Sequence, residues 1–216
     1  MYEITLISLD HSSRNVHDFK FDDIPFAKVM AHRETIVSVA SAPLNIHLET
    51  NEYDAIITPG NSFGHMTGGF DGAVVEYFGE WIDGSVRAYI EREWAGELPV
   101  GNARLFKLGT READYLIYSP TMRVPKQLPV NSDAPYVATL AAFQRIARWN
   151  QYKPFNENRI TSVLLPVMGM GTGRLPVELV ARQMQMAMIR AVMPLPIREL
   201  GEDGLDLDTV IHRRTF

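Results

Sequence analysis

The sequence predicts an α/β layered fold, on three observations. Short apolar runs at 54–58 and 160–165 end at a proline and lead through a glycine-rich loop into a helical pattern. Strand-like and helix-like segments alternate along the chain, the order that lets helices cover a sheet. The 216 residues, 46% hydrophobic and 22% charged, suffice for one sizeable core. A single domain over 1–216 is therefore expected.

Tyr2 to Leu9 alternates and is rich in Ile and Leu, which predicts a first strand and not a signal peptide. "TIVSVA", 35–40, is a second, weaker strand. "DAIIT", 54–58, is apolar on both faces, as a buried central strand is. Helices are predicted over 70–78 and 81–96, the second interrupted near Gly84, with Tyr77, Trp81, Tyr89 and Trp94 in the core. "ARLFKL" and "DYLIYS" form a strand pair across a polar turn at 109–112. The stretch at about 120–135 has four prolines in sixteen residues. It can hold neither helix nor strand for long, and it reads as a long functional loop inserted in the domain. A helix follows to Trp149 with Tyr136, Leu140, Phe143 and Ala147 on its apolar face. The strand at 160–165 and a helix after Pro176 complete the pattern. Val180, Met184, Met188 and Ala191 line one face of that helix, a Met-rich stripe that reads as core filling. A last strand is expected in "DLDTVIHRRTF".

The net charge of −5 gives no bulk-charge support for nucleic-acid binding, although Arg213 and Arg214 allow a local basic patch. There is no cysteine, so disulfides, thiolate catalysis and cysteine-ligated zinc are excluded. That usage fits a reducing compartment, and a cytoplasmic protein is expected. No apolar run approaches the roughly 20 residues of a membrane span, so no membrane partner is expected. The six histidines lack metal-ligand spacing, and neither a metal nor a cofactor is expected.

Chemistry is concentrated in the two glycine loops, 59–69 and 166–173. Each leaves a buried strand and enters a helix, where ligands of open sheets collect. Glycine lets main-chain N–H groups approach an anion with no Cβ in the way, and the helix that follows adds unpaired N–H groups. Two such loops on neighbouring strands would clasp a diphosphate. "GMGTGR" has no Lys-Ser/Thr after it, as a P-loop requires, and lacks the spacing and position of the dinucleotide fingerprint.

These residues carry a family resemblance. "DAIITPGNSFGHMTGGFDGAVVEYFG" resembles the macrodomain signature, in which a strand runs to an Asn, a glycine cluster and an acid opening a helix. "VLLPVMGMGTGRLPVELVARQM" is similar to the family's second phosphate loop, and "DYLIYSP" stands where the family has its intervening strand. The resemblance implies a mixed, mostly parallel central sheet sandwiched between helices, and ADP-ribose or an ADP-ribosylated substrate as partner. It gives Asn61 the distal ribose, and Gly68, Gly69 and Phe70 the ribose and diphosphate. Gly169, Met170, Gly171, Thr172 and Gly173 fall around the phosphates. Asp71 falls on the acid that positions or activates water in hydrolytic members. His65 lies in the first loop and is a candidate acid–base group. The family commonly has Asn in place of Thr58, Ala-Ala in place of Pro59-Gly60, and an adenine-binding acid that is missing at Ser41 and Ala42.

Three functions stay open at this point. The protein hydrolyses an ADP-ribose derivative, at an ADP-ribosyl linkage or a 1″-phosphate. Alternatively it binds such a ligand without chemistry, with Asp71 serving as a helix-dipole partner or hydrogen-bond acceptor. As a third reading, the loops are structural and the proline-rich segment is an interaction surface. Phe63, Met122 and Phe216 are the candidates for stacking on a ligand ring.

Overall fold

The computed structural model describes residues 2–9 and 35–192. Its six strands are β1 Tyr2–Ser8, β2 Thr35–Ser41, β3 Tyr53–Thr58, β4 Arg104–Lys107, β5 Ala113–Tyr118 and β6 Ser162–Pro166. Among the described residues five helices accompany them: α1 Leu44–Leu48, α2 Gly69–Phe78, α3 Trp81–Trp94, α4 Ala134–Tyr152 and α5 Val177–Val192. The predicted last strand, the patch at Arg213 and Arg214, and Phe216 lie outside the described residues.

The sheet runs β2-β1-β6-β3-β5-β4. All neighbours are parallel except the β4–β5 pair. This is the mixed, mostly parallel sheet that was expected. Period-two alternation along buried strands sends neighbouring side chains to opposite faces. Ile56, Leu116 and Leu164 pack with α1, α2 and α3 through Leu44, Leu48, Val74, Ile82, Val86 and Ile90. Ile57, Ile117, Val163 and Leu165 pack on the other face with Phe143 and Ile146 of α4 and Val180, Met184 and Met188 of α5. The methionine stripe is thus core, with Met184 and Met188 almost wholly buried.

Three local expectations are corrected. The α3 helix runs unbroken through Gly84 and buries Ile82, Val86 and Ile90, while Trp81 is 49% exposed at its start. Tyr77, Tyr89 and Trp94 are only partly buried. The buried face of α4 is turned from the predicted one. It is built on Ala138, Ala142, Phe143 and Ile146, and Ala147 is exposed. Alanines share this inner side with Phe143 and Ile146, so residue size alone does not tell which side faces the sheet.

Because β1, β3, β5 and β6 run parallel, their carboxyl ends reach one edge of the sheet. Everything that follows them in the chain starts from that edge.

Candidate functional site

At that edge lies a cavity of about 360 Å³. The end of β1 contributes Ile7, Ser8 and Leu9, and the first glycine loop contributes Pro59, Gly60, Asn61, His65, Thr67, Gly68, Gly69, Phe70 and Asp71. The second glycine loop lines the facing wall with Gly169, Met170, Gly171, Thr172 and Gly173. Every site residue predicted from sequence therefore borders one cavity. Of the candidate stacking residues, Met122 borders it. Phe63 is not among the lining residues and instead lies under the Arg123 guanidinium, 5.2 Å from the ring centre.

A third wall comes from the proline-rich segment, through Thr121, Met122 and Pro125. This segment ties the two glycine loops together. Thr121 N donates to Gly60 O at 3.0 Å, Ser62 N donates to Met122 O at 3.0 Å, and Leu128 N donates to Gly173 O at 3.0 Å. Each bond satisfies a backbone group that loop packing would otherwise leave without a partner.

The first loop is held from inside. Asn61 is buried, its Nδ2 donating to His65 O at 2.7 Å while Oδ1 accepts Phe63 N at 3.1 Å. One Nδ2 hydrogen and one Oδ1 lone pair are left over after these bonds. Met66 N donates to Asp83 Oδ1 on α3 at 2.9 Å. His65 is exposed at the rim. Tyr118, at the end of β5, is fully buried and bonds the main chain of Asn61, and burial pushes its phenol pKa up.

Glycine is required at two of these positions by close approach. A Cβ on Gly60 would lie 2.0 Å from the Tyr118 ring, and one on Gly173 would lie 2.4 Å from Gly169 O. Gly68 and Gly171 are different. A Cβ on either would meet nothing within 4 Å, and neither has left-handed backbone.

Asp71 sits in the first turn of α2, 8% exposed, and Thr58 donates its hydroxyl to Asp71 Oδ1. Removal from water pushes the carboxyl up to about 7, with the Thr58 bond opposing the shift. Such a group changes protonation near neutral pH, as an acid–base group must. No side chain caps α2, whose start faces the cavity at Gly69 and Phe70. Sequence reasoning missed Thr58, Tyr118 and Thr121. The rule that ligands gather at parallel strand ends points to the residues after β5 as well as those after β3 and β6.

Comparisons with known proteins bear on the family and the fold. A family profile described as a Macro-like domain matches residues 8–195. An uncharacterized protein of Aeropyrum pernix is 35% identical over 136 residues, covering 62% of this chain and 62% of that protein. One from Aquifex aeolicus is 33% identical over 131 residues, covering 61% and 70%. The chain spans 62% of the length of the first of these relatives. Among solved structures, the macrodomain of Mycobacterium tuberculosis DarG aligns with TM-score 0.52 at 18% identity, over 67% of this chain and 84% of that one. A point mutant of the Oceanobacillus iheyensis macrodomain with ADPR aligns at 0.55 and 15% identity, over 69% and 76%. The same macrodomain with ADP also gives 0.55 at 15%, over 68% and 74%. At these identities the structures speak to the fold.

Proposed function

The chain belongs to the Macro-like domain family. From that membership we propose that it binds ADP-ribose or a related nucleotide diphosphate in the cleft and hydrolyses an ADP-ribose derivative, acting in the cytoplasm. The observation that carries this reading is glycine where the protein's own packing does not call for it. Gly68 and Gly171 border the cavity with room for a side chain and with ordinary backbone angles. What glycine supplies at both positions is close access from the cavity to main-chain amides. An oxyanion ligand uses that access, and the ADPR and ADP held by the Oceanobacillus iheyensis macrodomain are of that class.

In this scheme Gly68, Gly69 and Phe70 with the start of α2 take one side of the diphosphate, and Gly169 to Gly173 take the other. Asn61 uses its leftover donor and acceptor to orient the distal ribose. Asp71 orients a water towards the anomeric carbon or terminal phosphate and accepts its proton, and His65 at the rim is available to protonate the leaving group. Fixed main-chain dipoles offset the ligand charge without reorganising during the reaction. The substrate is an ADP-ribosylated group or an ADP-ribose 1″-phosphate.

A second reading is favoured by one contact. The Thr58 hydroxyl already occupies one oxygen of a buried Asp71, which suits a pure binding module in which the carboxylate only accepts hydrogen bonds. A thermal-shift panel tests binding. Saturating ADP-ribose stabilises the native state by mass action, by about 2.7 kcal/mol at a hundredfold excess over Kd. No shift with ADP-ribose, its 1″-phosphate or ADP counts against both readings. Asp71→Ala then separates them. Loss of turnover with affinity kept within about tenfold, ~1.4 kcal/mol, supports hydrolysis, and full turnover removes Asp71 from the mechanism.

A further inference from the structure

Three arginines stand about the β4 edge of the sheet, Arg104 on the strand and Arg145 and Arg148 on the α4 helix packed against it. Arg104 opens β4, and its guanidinium lies over the Tyr89 ring of α3, 4.5 Å from the ring centre. Arg145 and Arg148 are three residues apart on α4, hence on one helix face, and α4 packs against β4. Arg104 and Arg145 are half-buried, and Arg148 is exposed.

What marks the cluster is the lack of a counter-charge. Among the described residues none of the three has an ion-pair partner. The Nε of Arg104 and the Nε of Arg145 are both buried without an acceptor among the described residues. Burial holds the Arg145 pKa below the usual guanidinium range, and the charges of Arg104 and Arg148 push it the same way. Like charges gathered with buried donors unpaired cost stability unless an anion joins them. Bidentate geometry makes guanidinium groups good partners for a phosphoryl oxyanion.

We propose that Arg104, Arg145 and Arg148 form a second anion site, on the β4 edge, for a phosphoryl group. It is independent of the ligand in the cleft. In strand register Thr58 pairs with Tyr118, and Tyr118 with Arg104. Two strand spacings put the Arg104 Cα roughly 10 Å from Thr58, and none of the three arginines lines the cleft. The overall charge of −5 gives no such attraction, so the local cluster must supply it.

The test follows the Arg104 and Arg145 Nε–H resonances of the whole chain by NMR while inorganic phosphate replaces chloride at constant ionic strength. Both resonances move along one saturable curve. In R104Q/R145Q, which lacks both reporting groups and is followed instead by the ³¹P line width of the phosphate, the affinity falls about tenfold or more, the loss of charge-assisted bonds, while ADP-ribose affinity is unchanged. Arg148→Gln, at an exposed position, gives a smaller loss and serves if the double variant does not fold. A short single-stranded oligodeoxynucleotide in place of phosphate tells the source apart. Tighter binding than phosphate at the same two resonances assigns phosphodiesters, and weaker binding assigns a free or monoester phosphate. Resonances that stay put at tens of millimolar phosphate, or a phosphate affinity equal in wild type and Arg148→Gln, overturn the site.

Discussion

The Tyr118 hydroxyl grips the main chain of Asn61 from both sides, accepting its N–H at 3.0 Å and donating to its C=O at 2.7 Å. A side chain of β5 thereby completes the hydrogen bonding of the loop that leaves β3. Tyr118→Phe leaves both Asn61 groups unpaired in a buried place, a loss of about 1–3 kcal/mol. At about 2–4 °C per kcal/mol for a chain of this size, calorimetry is expected to show a Tm several degrees lower. A Tm within one degree of wild type contradicts this role.

The Thr58–Asp71 pair predicts a pH dependence with a definite sign. Below the ordinary value of 3.8 Asp71 is protonated in both states and costs nothing. Between there and about 7 the unfolded chain gives up the proton that the native state keeps, so stability falls as pH rises. Above that the cost is at its full size, on the order of a few kcal/mol. Asp71→Asn removes the cost, so its stability relative to wild type should grow from pH 4 to pH 8 in urea unfolding. A difference that is flat across that range means Asp71 keeps an ordinary pKa. If Asp71 is the base, kcat rises through the same window.

Alanine at Gly171 and at Gly173 should separate ligand contact from packing. At Gly173 the new methyl meets the Gly169 carbonyl oxygen, so the second loop must shift and stability falls by about 1–3 kcal/mol. Nothing opposes a methyl at Gly171. That variant should stay within about 0.5 kcal/mol of wild-type stability yet lose about tenfold or more in ADP-ribose affinity. Wild-type affinity in Gly171→Ala argues against close approach at that loop.

Much of this arrangement is legible in the sequence, because strands buried on both faces read as bare apolar runs. "DAIIT" and "VLLP" stand out for that reason, and the loops after them follow from strand direction. The helix Leu44–Leu48 is not legible, since five residues with two buried leucines carry no periodicity. Gly60 is visible only as a departure from the usual Ala-Ala, and its cause, the Tyr118 ring, lies 58 residues further on. Thr58 likewise replaces a common Asn, and its bond to Asp71 needs the turn of the loop to bring them together. The cluster of Arg104, Arg145 and Arg148 draws on β4 and α4, elements distant in the chain.

In the proposed function both glycine loops hold one diphosphate. Amide NMR of the ¹⁵N-labelled protein during an ADP-ribose titration tests it most directly. The Gly69 and Gly171 N–H resonances should move together and fit a single Kd. Movement of only one of them, or of neither at saturating nucleotide, contradicts the account.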